Sequence, residues 1–90
     1  MNKSNRFQGF LLRKIPGCNY ILDLRTPGDG YKKPLKINDT AAYIYEMLDS
    51  WRSVEDIAGD ISEETGESLR IIEEDINAFL EEIRSFGVNV

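Results

Sequence analysis

Histidine is absent from the 90 residues, and cysteine occurs once, as Cys18. These two scarcities exclude an internal disulfide, a Cys/His zinc site and any Ser-His or Cys-His catalytic pair. No D-x-D-x-D-G loop is present to hold calcium, so neither a metal nor a cofactor is expected. Proline is limited to three residues, and no internal repeat or low-complexity linker interrupts the chain. No apolar run approaches the roughly 18 residues of a membrane span. The start, Met1-Asn2-Lys3-Ser4-Asn5-Arg6, leads into no apolar signal segment. A cytoplasmic chain without a membrane role is the expectation.

What is present fits one small domain over residues 1–90. A chain of this size buries roughly 60% of its unfolded surface. That leaves room for one core and one surface site, and little for an enclosed active site. The net charge of −5 hides a split. Residues 1–37 carry eight basic side chains against Asp23 and Asp29, a balance of +6. Residues 38–90 carry Arg52, Arg70 and Arg84 against 14 acidic groups, a balance of −11. The hydrophobic period changes at the same point.

Phe10-Leu11-Leu12-Arg13-Lys14-Ile15 is mostly apolar and ends at Pro16-Gly17. Proline presets φ and glycine accepts a positive one, so this is turn chemistry. Asn19 to Leu24 then alternates, with Tyr20, Leu22 and Leu24 on the more apolar side. The two segments predict a hairpin. Thr26-Pro27-Gly28-Asp29-Gly30 makes a second turn cluster, and Pro34-Leu35-Lys36-Ile37 a short third strand. Pro34 lacks an N–H and suits a strand start or an edge.

From Asn38 the period is helical. Asn38 or Asp39 caps a helix carrying Ala41, Ile44, Met47/Leu48 and Trp51. Ser53-Val54-Glu55-Asp56 resembles a capping box and opens a second helix on Ile57, Ala58 and Ile61. Gly66 ends it. Ser68 starts the longest helix, with Ile72, Ile76, Phe79/Leu80, Ile83 and Phe86 on one stripe, and Gly87 stops it. Strands at about 10–37 followed by helices at about 39–87 predict an α+β fold. The expected architecture is winged-helix-like, a three-stranded antiparallel sheet followed by three helices.

Winged helices often bind DNA. Here the long helix, with Glu67, carries six carboxylates against Arg70 and Arg84, a net −4 that phosphates repel. A nucleic-acid regulator working through the basic first third is the alternative reading. Asp49-Ser50 has the look of a carrier-protein attachment pair, but it falls at a helix end and three strands precede it. The acidic residues read mostly as solvated helix faces, and Cys18 has no base to activate it.

From Leu35 onward the chain resembles the PqqD-like family, the recognition elements of ribosomal peptide maturation. The resemblance is carried by Leu35-x-Ile37-Asn38-x-Thr40-Ala41-x-x-Ile44, Met47-Leu48-Asp49 and Arg52-Ser53-Val54-x-x-Ile57. It continues in Glu74-Asp75-x-x-x-Phe79-Leu80-x-x-Ile83-x-x-x-Gly87. Ser50 departs from the pattern where the family often has glycine. The resemblance implies a non-catalytic peptide-binding chaperone. It would capture the leader of a precursor peptide as an added strand between the third strand and the last helix. It would then present that leader to a modifying enzyme, often a radical SAM protein, in peptide natural-product or quinone-cofactor biosynthesis. A structural subunit that docks on an enzyme without touching substrate is a further alternative.

On its own residues the last helix fits equally a groove wall or an amphipathic helix with one surface isoleucine, and the resemblance favours the groove. Beside its core stripe runs a row of Ile71, Asp75, Ala78 and Glu82, with Phe79 at the boundary. A core would not select carboxylates, and a plain solvated face has no need of Ile71. The facing wall is Lys33, Leu35, Lys36 and Ile37, which with Lys32 gives a basic lip opposite an acidic one. About four backbone hydrogen bonds contribute about 1 kcal/mol each. Ordering about eight residues costs roughly 1–2 kcal/mol apiece. Apolar anchors at about 1.5–3 kcal/mol each must therefore carry the affinity, near Phe79, Ile71 and Leu35. An open strand edge also permits a monomer or a weak dimer.

Overall fold

The computed structural model describes residues 5–25 and 33–89. The turn cluster at Thr26–Gly30 and the side chain of Lys32 lie outside the described residues. The element order is β1 (Phe10–Ile15), β2 (Cys18–Asp23), β3 (Leu35–Ile37), α1 (Asp39–Asp49), α2 (Val54–Thr65) and α3 (Leu69–Phe86). The strands form one antiparallel sheet in the order β1-β2-β3. This is the expected α+β arrangement.

The hairpin closes on the pair Ile15–Cys18 around Pro16 and Gly17. Gly17 has φ +84, which only glycine adopts freely, and it follows the proline that presets the turn. Cys18 therefore begins β2. Side-chain orientation in β2 differs from the expectation. Ile21 and Asn19 point into the core, whereas Tyr20 and Leu22 are half-buried on the other face and Leu24 is 60% exposed. Register decides this. Ile21 lies between Leu12 of β1 and Leu35 of β3, and all three pack on the helices.

Each helix begins at a side chain that accepts an orphan N–H. Asn38 Oδ1 accepts from Ala41 N at 2.8 Å and Ser53 Oγ accepts from Asp56 N at 3.1 Å. Ser68 Oγ accepts from Ile71 N at 3.5 Å. α3 stops at Gly87, where Val88 N donates to Ile83 O at 2.9 Å and the Val88 side chain closes over the core. α1 ends with the same bond pattern but without glycine. Arg52 N donates to Met47 O and Trp51 N to Leu48 O, both at 3.0 Å, with Trp51 itself at φ +67. The left-handed position is thus one residue beyond Ser50.

The core joins Ile21 and Ile37 of the sheet to Tyr45, Leu48, Ile57, Ile76, Phe79 and Ile83 of the helices. Phe7, before β1, belongs to it, with its ring 5.0 Å from that of Tyr45. Asp49 holds that segment: its Oδ1 accepts from Phe7 N at 2.8 Å and its carbonyl from Arg6 N at 2.9 Å. Asp49 is thus a clamp for the incoming chain.

Candidate peptide-binding groove

β3 is an edge strand. It pairs with β2 through Asn19–Ile37, Tyr20–Lys36 and Ile21–Leu35, and among the described residues no strand pairs with its other side. Its position is fixed by Asn19, a buried polar side chain. The Asn19 Nδ2 donates to Ile37 O at 3.4 Å and to Asp39 Oδ1 at 2.8 Å. One amide therefore ties β2, the end of β3 and the first turn of α1 together.

Where β3 turns into α1, an open cleft of about 610 Å³ lies between α1 and α3. Asn38, Thr40, Ala41 and Ile44 line one side; Asp75, Ala78, Phe79, Glu81, Glu82 and Ser85 line the other. Ile44 and Phe79 are nearly buried and make an apolar floor, while Asp75, Ala78 and Glu82 are exposed at the rim. A smaller hollow of about 310 Å³ at the end of the sheet is lined by Lys36 and Ile37 and shares Asn38 with the cleft.

Of the residues expected at the site, the structure brings Asp75, Ala78, Phe79 and Glu82 together in the cleft. Lys33, Leu35, Lys36 and Ile37 do not line it; they approach it through Asn38. Ile37 is buried in the core, Leu35 is half-buried, and Lys33 and Lys36 are exposed. Ile71 stands in the first turn of α3, 40% exposed and outside the cleft. The wall supplied by α1 and the rim residues Glu81 and Ser85 were missed. Thr40, Ala41 and Ile44 share a face of α1, but nothing local pairs that face with α3. Steps of three residues from Ala78 and Glu82 reach Glu81 and Ser85.

The rim is acidic. Glu81 accepts from Arg84 Nη1 at 2.6 Å, but among the described residues Asp75 and Glu82 are in no ion pair, and no basic side chain lines the cleft. Among the described residues no three His, Cys, Asp or Glu side chains converge to hold a metal, and no helix is long and apolar enough to cross a membrane. An apolar floor beside a strand edge left unpaired among the described residues offers pockets and backbone partners to an extended chain.

Comparison with known proteins bears on the fold and the family. No curated protein matches the sequence. Among solved structures, the one described as "TbiB1 in Complex with the TbiA(beta) Leader Peptide" superposes with a TM-score of 0.74. The match covers 96% of this chain and 93% of that one at 16% identity, a likeness of fold. The family model for coenzyme PQQ synthesis protein D (PqqD) matches residues 20–88, which takes in β3, the cleft and all three helices, and by that match the chain belongs to the PqqD family.

Proposed function

We propose that the protein captures the leader segment of a ribosomally made precursor peptide as a fourth strand on β3 and presents it to a modifying enzyme, such as a radical SAM protein. The protein itself makes no bonds in this scheme. The observation that carries the reading is the edge of β3, which no strand pairs among the described residues and which runs through Asn38 into a cleft floored by Ile44 and Phe79. Family membership supports it, as does a shared fold with a protein described in complex with a leader peptide.

The ladder identifies the backbone groups available to a guest. Antiparallel pairs alternate between those that exchange hydrogen bonds and those that do not. Counting from the turn pair Ile15–Cys18, Arg13–Tyr20 exchanges bonds, so Tyr20–Lys36 does not. The N–H and C=O of Lys36 then face the free side. Side-chain anchors in the cleft supply the affinity that a few backbone bonds lack.

The test uses a labelled leader peptide from the precursor gene adjoining this one, with affinity read by fluorescence anisotropy. Lys36→Pro removes the outward N–H and sets a ring against the guest strand, so binding should weaken by about tenfold or more, whereas Lys36→Ala keeps the N–H and should bind. Ala78→Trp, at an exposed rim position, fills the cleft and should block binding. Phe79 is a poor probe because truncating a buried phenylalanine costs about 3–5 kcal/mol of stability. Unchanged affinity in both Lys36→Pro and Ala78→Trp would remove the groove from consideration.

A further inference from the structure

Strand addition alone does not choose a direction, since backbone groups on a strand edge accept a parallel or an antiparallel partner. The charges along this groove do choose. At the cleft end stand Asp75 and Glu82, two exposed carboxylates in no ion pair among the described residues. At the strand end stand Lys33 and Lys36, also exposed and also in no ion pair among the described residues. The segment from Lys33 to Ile37 contains no acidic side chain, the Asp39 carboxylate beside Lys36 accepts from Asn19 Nδ2 at 2.8 Å, and among the described residues no basic side chain lines the cleft.

Distance separates Lys33 from the cleft more than Lys36. Extended chain rises about 3.3 Å per residue, so Lys33 is roughly 17 Å from Asn38 and Lys36 roughly 7 Å. The first is about twice the Debye length of roughly 8 Å at physiological salt, and the second is within it. Lys33 therefore acts on its own residues of the guest, while Lys36 marks where the sign of the groove changes.

We infer that the groove takes an extended peptide of ordered charge, with Lys or Arg over the α1–α3 cleft and Asp or Glu about five residues away beside Lys33 and Lys36, and that this order fixes the direction of the captured strand. A guest laid in reverse meets like charge at both ends. The inference rests on the leader-capture reading and adds to it the class and orientation of the peptide.

A display library of random 12-residue peptides, selected on the whole chain, tests it without knowledge of the natural leader. The best groove binder is then synthesised beside a copy in which the charged residues are exchanged between its ends. Binding at the groove is scored by NMR shifts at Asn38 and Phe79. The exchanged copy should bind about tenfold or more weakly at low salt, and the gap should narrow as salt rises. The double variant Asp75→Lys with Glu82→Lys should shrink or reverse the preference. If that variant does not fold, Asp75→Asn with Glu82→Gln should at least halve the gap. Selected peptides that shift Asn38 and Phe79 but show no charge order would overturn this inference and leave strand capture standing. A selection yielding no peptide that shifts those residues would overturn both.

Discussion

The Asn19 side-chain amide stands 2.8 Å from the Asp39 carboxylate and also donates to the Ile37 carbonyl, so a single buried residue of β2 sets where β3 ends and α1 begins. The free edge and the cleft meet at that junction. Asn19→Ala removes two side-chain hydrogen bonds, to the Ile37 carbonyl and the Asp39 carboxylate, together worth about 1–3 kcal/mol. Stability should fall by that amount in urea denaturation. Amide exchange at Leu35–Ile37 should accelerate more than exchange in α3, because β3 loses its anchor to α1. Uniform acceleration across the chain would refute a local role for Asn19.

Tyr45 is 2% exposed, and its hydroxyl finds no hydrogen-bond partner among the described residues. A buried orphan hydroxyl costs about 1–3 kcal/mol. Tyr45→Phe keeps the ring against Phe7 and removes the orphan, so it should be neutral or stabilising by about 1 kcal/mol. The pH dependence follows from the same burial. Loss of solvent, reinforced by the nearby Asp49 carboxylate, pushes the folded phenol well above its ordinary value. Above a pH of about 10 the unfolded chain releases this proton and the folded one retains it, so stability falls as pH rises. The wild-type chain should lose stability between pH 9 and pH 11 more steeply than Tyr45→Phe, the two being compared by thermal denaturation. Identical slopes would show that the phenol ionises freely in the fold.

Trp51 occupies a left-handed position at φ +67 that ends α1. A side chain there costs about 1–2 kcal/mol against glycine. The indole offsets part of this by lying beside the Arg6 guanidinium, 5.8 Å from its ring centre. Trp51→Ala should keep the strain and lose that contact. Trp51→Gly loses the contact but relieves the strain. The glycine variant should therefore be the more stable of the two by about 1 kcal/mol. Equal stabilities would place the strain elsewhere.

Element order, element type and the helix caps at Asn38, Ser53 and Ser68 were legible because each rests on local chemistry: turn residues, cap residues and a helical period. Half of the site was legible for the same reason, since Asp75, Ala78 and Glu82 recur on one face of one helix. Its other wall was not, because Thr40, Ala41 and Ile44 meet α3 only through tertiary packing. The face of β2 was misleading. Tyr20, Leu22 and Leu24 are the more apolar set, yet pairing with both neighbours turns Ile21 and Asn19 inward. Asn19 is a polar strand residue, and its amide finds partners only after β3 and α1 arrive.

That inversion is itself open to measurement. Ile21 is fully buried, whereas Leu11, across from Leu22 on the outer face, is 43% exposed. Truncating a buried isoleucine removes its contacts and leaves a cavity, so Ile21→Ala should cost about 2–5 kcal/mol. Leu11→Ala leaves no cavity and should cost less than about 1 kcal/mol. Denaturant midpoints for the two variants decide the matter. A larger loss for Leu11→Ala would mean that the outer face of the sheet packs against something in solution, and that the apolar alternation of Tyr20, Leu22 and Leu24 marks a second covered surface.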